Sequence, residues 1–278
     1  VQEFVNSTYE IIVVDNASLD GTQAEISSSF PGIKFIANAK NVGFSAANNQ
    51  GFIVSTGEFV LLLNPDAKLI NADLQKAVQY LGDHSKTIIG PNILNPDLSL
   101  QDSVLEIPDF KDVFVEAVFL TYFFTPNMFD TLKKNNYALS GACLMLSRQN
   151  YELLGGLDEN LFWMDDVDFC YRAKQQGMSI HYFDDWSIVH VIGQSGKKNY
   201  NVSISNQLIS KLKFFKKHNQ PLNYTISVLL IQVHIALRVL VFLPLSPFKS
   251  MYRLKFFAYC YSQSLFFKYI FTSKKQTF

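Results

Sequence analysis

The chain has 278 residues, of which 48% are hydrophobic and 17% charged, and this excludes both a disordered chain and a coiled coil. Its three cysteines, Cys143, Cys170 and Cys260, show no paired spacing, so neither a disulfide framework nor a cysteine-built zinc site is expected, and a reducing compartment fits. The formal net charge of zero conceals a division: residues 197–278 carry 13 of the 24 Lys and Arg and no Asp or Glu, whereas all 24 acids fall in residues 1–196.

Val1 is not an initiator Met, and no signal peptide is expected in the reading of residues 1–8. The first clear element is the apolar run from Tyr9 to Asp15, which ends in an acid as buried parallel strands do. Turn residues follow, and Thr22 with Glu25 offers a capping box for a short helix. Residues 33–37 read as a strand, 44–55 as a helix, 58–63 as a second buried strand and 72–81 as a helix. This alternation predicts an α/β fold with a mostly parallel sheet, in which ligands sit at the C-terminal ends of strands. Asp15 and Asp66 both fall at such ends.

The middle is less regular. Residues 95–136 carry Pro96, Pro108 and Pro126 among many aromatics, and no element is assigned to them. Residues 137–147 read as one strand, 148–154 as a short helix and 166–176 as a helix stopped by Gly177. Residues 179–183 and 187–192 read as two further strands.

Three features carry chemistry. Leu61–Leu63 runs into Asn64-Pro65-Asp66, where a carboxylate can hold a hard divalent cation. Asp165, Asp166 and Asp168 place three acids in four positions where a loop enters a helix; adjacent carboxylates repel, one pKa rises, and a general base results. His190 follows a strand and precedes Gly193-Gln194-Ser195-Gly196, and imidazole ligates Mn²⁺-like ions. Each has a plainer reading: Asp15 and Asp66 as turn residues, the 165–168 acids as a dipole-favoured first helical turn, His190 as a structural histidine. Their joint occurrence in this order carries the argument.

That order resembles the family-2 glycosyltransferases of GT-A fold, especially the bacterial rhamnosyltransferase-like branch. The matching segments are residues 10–22 (EIIVVDNASLDGT), 41–51 (NVGFSAANNQG), 63–67 (LNPDA), 140–146 (SGACLML) and 155–172 (GGLDENLFWMDDVDFCYR), and the resemblance covers about residues 8–196. It implies an α/β GT-A-type domain over residues 1–196 that binds a nucleotide-diphosphate sugar. By this resemblance Asp15 contacts the nucleotide, and Asn41, Gly43 and Asn48 line the donor pocket. Asn64 and Asp66 form a DxD-type motif with Asp66 as metal ligand, and His190 is the second ligand. Asp166 is the base with Asp165 beside it, and Ser195 approaches the diphosphate. The implied cofactor is a divalent cation, Mn²⁺ or Mg²⁺, and the implied reaction is inverting transfer, with rhamnose the candidate sugar, to a lipid-linked or polysaccharide acceptor. Phe162 and Trp163 offer an apolar wall for a sugar ring, or core packing.

The family's first strand has no counterpart before Tyr9, and residues 1–6 read as the end of the helix that follows it. The sheet is therefore expected to be one strand short, with an open edge and an apolar groove beside residues 10–15. Two rivals follow: a non-catalytic nucleotide-sugar or membrane-binding remnant, and a sugar nucleotidyltransferase, which would need a Gly-rich basic phosphate loop near its start.

Residues 197–278 read as a basic, apolar helical tail. Thirteen Val, Ile, Leu and Phe fall between Ile226 and Leu243, contributing roughly −4 to −8 kcal/mol of insertion energy. Arg238 returns about +3 kcal/mol, and Gln232 and His234 add to it, so the sum is close to neutral. Pro244 and Pro247 break the run, and an aromatic-basic stretch follows. The reading expects an interfacial helix pair on anionic lipid at the cytoplasmic face of a bacterial inner membrane, with one span, or packing on the catalytic domain or a partner, as alternatives. Lys211–Lys217 is basic, but no nucleic-acid motif accompanies it, and no nucleic-acid partner is expected.

Overall fold

Apolar runs alternate with turn signals from Tyr9 onward, and the chain folds accordingly. The computed structural model describes residues 8–71, 73–121, 128–133, 135–191 and 200–273. In chain order the elements are β1 (Ile12–Asp15), α1 (Thr22–Ser29), β2 (Lys34–Ala37), α2 (Phe44–Val54), β3 (Phe59–Leu63), β4 (Ala67–Asn71), α3 (Leu74–Asp83) and β5 (Thr87–Leu94). There follow β6 (Val104–Glu106), α4 (Phe110–Ala117), α5 (Met128–Lys133), β7 (Tyr137–Leu139), β8 (Cys143–Ser147), α6 (Arg148–Leu154), α7 (Asp165–Gln175), β9 (Ser179–His190), α8 (Tyr200–Lys217), α9 (Pro221–Leu245) and α10 (Ser250–Ser273). The described residues fall into two compact units. The first draws on Val1–Ile107, Met128–Asn160 and Asp165–Ile192, the second on Pro108–Asn127, Leu161–Met164 and Gly193–Phe278.

The first unit is α/β, as expected, and its central sheet has the order β3-β8-β5-β9-β4. The expectation of mostly parallel pairing is corrected. β5 and β9 are parallel, whereas β3–β8, β5–β8 and β4–β9 are antiparallel. An apolar run identifies a buried strand but carries no sign of its direction, and β4 follows β3 through a three-residue turn rather than through a crossover helix. β1 and β2 form a separate parallel pair, and β6 and β7 an antiparallel one. Among the described residues β1 pairs with β2 and β3 with β8, and neither has a second partner. Residues 1–6 lie outside the described residues.

Local details depart from the sequence reading for identifiable reasons. Residues 137–147 form two strands, because Ser140–Ala142 turns between β7 and β8. Residues 179–190 form one strand, because the exposed Asp184 and Asp185 interrupt the apolar pattern while Phe183 and Trp186 on either side are buried. β5 escaped notice because it contains Pro91; a register shift between Gly90 and Asn92 accommodates the missing N–H. The capping box proposed at Thr22 does not form. Gly21 is the N-cap, and the Asp20 carboxylate accepts from the Thr22 N–H at 3.1 Å. α3 is capped by Asp73, which accepts from the Lys76 N–H at 2.9 Å. Its Leu74, Ala77 and Leu81 then point into a core with Ile89, Ile93, Met145, Trp186 and Ile188.

The second unit is helical. α9 packs on α4 and α10, and α8 packs on α10. Ser227, Ile231, His234 and Arg238 recur on one face of α9, and the first three are buried. Arg238 donates to the Glu116 and Ala117 carbonyls at 2.6 and 3.1 Å and lies 4.2 Å over the Phe119 ring. Gln232 and Gln263 exchange amide hydrogen bonds of 2.8 and 2.9 Å. Gln232 and Arg238 of α9 are thus met by protein, whereas the buried Ser227 hydroxyl and His234 Nδ1 have no hydrogen-bond partner in the structure, and Leu229, Leu240 and Leu243 stay exposed. α9 continues through Pro244 to Leu245. Its 25 residues, with a mean hydropathy of 2.3 over their most apolar 18, make it long and apolar enough to cross a membrane by length and composition.

Candidate functional site

The strand ends of the first unit bring the predicted acids and histidine into two adjoining groups. Antiparallel pairing sets Ala67 opposite His190, and the Val191 N–H donates to the Asp66 carbonyl at 3.0 Å. Asp66 Oδ1 then stands 3.3 Å from His190 Nε2, although 123 residues separate them in sequence. Asn64 adds its amide nitrogen 3.5 Å from the same Nε2, and its Oδ1 is buried with no hydrogen-bond partner in the structure.

His190 is held by a residue that sequence reasoning passed over. Gln101 is 7% exposed and gives its amide hydrogens to Asn95 Oδ1 and the His190 carbonyl, at 3.0 and 3.2 Å. Its Oε1 therefore accepts from His190 Nδ1 at 3.0 Å. This network assigns the ring proton to Nδ1 and leaves the Nε2 lone pair facing Asp66. With a neutral ring, that lone pair lies 3.3 Å from a carboxylate oxygen, a repulsive approach that a cation between them, or a second ring proton, relieves. With the orphaned Asn64 oxygen beside it, the donor set suits a divalent ion. Among the described residues no cluster of three His, Cys, Asp or Glu forms, so the protein would supply few ligands and leave the remainder to phosphate and water, as is usual for Mg²⁺-type sites.

The second group is the acidic start of α7. The Asp166 carboxylate accepts from the Gly141 N–H at 2.9 Å and the Val167 N–H at 2.8 Å. Burial and the neighbouring Asp165 charge push its pKa up to about 7. Burial likewise raises Asp165, which accepts from the Ser45 hydroxyl at 2.9 Å. Asp168 is different: it is fully buried, pairs with Arg172 at 2.7 Å, and through Arg172 fixes the Leu154 and Gly156 carbonyls. It is a structural ion pair. Gly141 and Ala142 join the two groups, since Asn64 N–H donates to the Ala142 carbonyl at 3.0 Å. A Cβ on Gly141 would meet Asp166 Cβ at 3.3 Å, a tight contact that a larger residue would relieve only by shifting Asp166.

The residues carried over for the donor form a third cluster at the end of β1. Asp15 accepts from the Ser18 N–H at 3.1 Å. Asn41 Oδ1 accepts from the Gly43 N–H at 2.9 Å, and Asn48 donates to the Phe44 carbonyl at 2.9 Å. Asn16, which the sequence reading did not single out, ties the end of β1 to the start of α2: it donates to the Gly43 carbonyl and accepts from Asn38. Gly43 has φ 92°, a backbone conformation that favours glycine. Ser45 on the next turn links this cluster to Asp165. Ser195 lies outside the described residues.

Known proteins are similar to this chain. The chain is 27% identical to a low-salt glycan biosynthesis hexosyltransferase of Haloferax volcanii, over 85% of this chain and 78% of that protein. It is 27% identical to the N-acetylglucosaminyl-diphospho-decaprenol L-rhamnosyltransferase of Mycobacterium tuberculosis, over 65% of this chain and 66% of that protein. Among solved structures, residues 1–349 of Staphylococcus aureus TarS superpose with a TM-score of 0.50 at 14% identity, covering 82% of this chain and 62% of that one, a likeness of fold. The family profile described as glycosyl transferase family 2 matches residues 2–155. The chain is a glycosyltransferase and belongs to glycosyl transferase family 2.

Proposed function

We propose that this enzyme moves a sugar, with rhamnose the first candidate, from a nucleotide-diphosphate donor to a lipid-linked or polysaccharide acceptor, with inversion and with the help of a divalent cation. The observation that carries the reading is the juxtaposition of two groups across Gly141 and Ala142. One is a carboxylate, imidazole and orphaned amide oxygen; the other is a carboxylate pair with raised pKa. The M. tuberculosis relative, named for L-rhamnosyl transfer to N-acetylglucosaminyl-diphospho-decaprenol, supports the choice of donor and acceptor.

Asp66, His190 and Asn64 would hold the cation, Mn²⁺ or Mg²⁺; one imidazole among oxygen donors favours Mn²⁺. A bound cation neutralises the charge that grows on the diphosphate leaving group. Gln101 keeps the His190 Nε2 lone pair available. Asp166 takes the proton from the acceptor hydroxyl as that hydroxyl attacks the anomeric carbon opposite the leaving group, a role worth about 10²–10⁴-fold. Asp165 raises the basicity of Asp166 by its charge, and Ser45 holds Asp165. Asp15, Asn41, Gly43 and Asn48 form the wall for the nucleotide sugar, and Ser195 is assigned to the diphosphate.

The tail supports work at a membrane surface, assigned to the cytoplasmic face of a bacterial inner membrane. Leu229, Leu240 and Phe271 on α9 and α10, and Phe248 in the turn between them, are each at least 65% exposed, in a stretch of chain that carries basic residues and no acids. Exposed apolar side chains beside Lys and Arg suit the interface of anionic lipid.

The test is transfer by the full chain across a panel of dTDP-, UDP- and GDP-linked sugars, with a polyprenyl-diphosphate-linked N-acetylglucosamine acceptor and Mn²⁺, Mg²⁺ or chelator. The reading expects one donor to give a product whose anomeric configuration, read by NMR, is opposite to the donor's. A retained configuration, or equal rates in chelator, overturns it.

A further inference from the structure

We propose that the turn at residues 95–99 is a positioning device for His190, in which Asp97, Ser99 and Asn95 orient Gln101 so that the imidazole carries its proton on Nδ1 and keeps Nε2 open to a cation.

Local sequence builds the turn at the right place. β5 ends at Leu94, which pairs with Val189 of β9 and bridges to Leu100, so the turn is delivered beside the end of β9, where His190 stands. The Asn95 N–H donates to the Ser99 carbonyl and the Leu98 N–H to the Asn95 carbonyl, both at 2.8 Å. Pro96 follows Asn95, and its fixed φ favours that position of a turn. Leu98 takes φ 66°, a conformation strained for leucine, which the surrounding backbone bonds hold in place.

The side chains of the turn form a directed line of hydrogen bonds. Asp97 Oδ1 accepts from the Ser99 hydroxyl at 2.6 Å and from the Ser99 N–H at 3.0 Å. Ser99 Oγ accepts from the Asn95 amide at 3.0 Å. Asn95 Oδ1 accepts from the Gln101 amide, and Gln101 Oε1 from His190 Nδ1, both at 3.0 Å. Groups that only accept fix the direction at both ends. The Ser99 hydroxyl and N–H hold the Asp97 carboxyl below the ordinary carboxylate range, so it is ionised and has no proton to give. The His190 carbonyl takes the other Gln101 amide hydrogen at 3.2 Å. Turning over either amide would set donor against donor or acceptor against acceptor, and Gln101 is buried, away from water that could relieve the mismatch. Bonds aligned in this way also polarise one another. Asp97 itself is exposed, so its charge is screened by water and what it contributes is direction. The use of the open Nε2 for a cation rests on the reading of Asp66 and His190 as ligands; the placement of the proton does not.

The test uses the full chain in mild detergent and chelator, with its five histidines labelled with ¹⁵N. Two-bond ¹H–¹⁵N spectra at about pH 8.5, well above the ordinary histidine pKa, read which ring nitrogen carries the proton, and His190→Ala identifies the signals. Calorimetry measures nucleoside diphosphate affinity with and without Mn²⁺. Wild type should hold the His190 proton on Nδ1. Asn95→Ala should lower the ratio of Nδ1–H to Nε2–H forms by about threefold or more, and the Mn²⁺-dependent affinity by more than about twofold. Asn95→Asp, which offers Gln101 acceptors only, should keep the wild-type ratio within about twofold, and this separates direction from a general loosening of the turn. Ser99→Ala, at an exposed position, replaces Asn95→Ala if that variant fails to fold. A wild-type proton on Nε2, a ratio that Asn95→Ala moves by less than about threefold, or an equal shift in Asn95→Asp overturns the proposal. A shifted ratio with unchanged Mn²⁺-dependent affinity keeps the proton assignment and sinks the cation reading instead.

Discussion

Asp166→Asn separates chemistry from folding because it moves the two in opposite directions. The carboxyl rises from an ordinary 3.8 to about 7, equivalent to about 4 kcal/mol disfavouring the ionised form, a burden shared with Asp165. Between these values the folded chain holds a proton that the unfolded chain has released, so stability falls as pH rises from about 4 to about 7 and is level above that. An amide at this position does not ionise and escapes the burden. It keeps one of the two acceptor interactions with Gly141 and Val167 and loses the other, at a cost of about 1 kcal/mol. The variant should therefore be less stable than wild type by about 1 kcal/mol near pH 4 and more stable by roughly 1–3 kcal/mol near pH 8. Urea unfolding in chelator at both pH values measures this crossing. Transfer should drop by 10²-fold or more, about the contribution of a general base, while donor binding stays close to wild type. A stability difference independent of pH refutes the electrostatic argument. Transfer above about a tenth of wild type shows that another group is the base.

Three further expectations can be checked independently. Gln101→Leu should lower metal-dependent donor affinity about 10–100-fold by releasing His190, with partial recovery in Gln101→Glu; calorimetry with and without Mn²⁺ reads it. Asp168→Ala should destabilise the chain by about 3–5 kcal/mol, seen as a lowered unfolding midpoint, because it strands Arg172 beside a buried site. Flotation with anionic vesicles should be strong, reduced but not abolished at high salt, and weaker when Leu229 and Leu240 are both changed to Gln; equal flotation would remove α9 as the anchor.

Legibility in the sequence followed the length scale of the interactions. β1, β3, α2, α6 and α7 were readable because period and local capping define them within a few residues. β4 and β5 were not, since a mixed five-residue edge strand and a strand containing Pro91 both resemble loops until their partners are known. The site divides in the same way. Asp66, Asp166 and His190 stand out as acids and imidazole at strand and helix ends. Gln101 lies in a stretch with no periodic signal, and its purpose appears only when β9 delivers His190 to it. Asp168 looked like a third member of the acidic cluster, and its pairing with Arg172 one helical turn later was available from the spacing alone. The buried face of α9 is legible only after α4 is seen against it, because a hydropathy sum charges Arg238 to the lipid while the structure gives it two carbonyls and an aromatic ring.

The claim that Asp66 and His190 hold the cation that binds the donor is tested most directly by calorimetric titration of nucleoside diphosphate into wild type, Asp66→Asn and His190→Ala, each with Mn²⁺ and with chelator. The account predicts tight binding by wild type only with Mn²⁺, and a loss of at least about tenfold in both variants, down to the wild-type level in chelator. Nucleoside diphosphate that binds wild type equally well in chelator, or variants that keep the full Mn²⁺ effect, would contradict it.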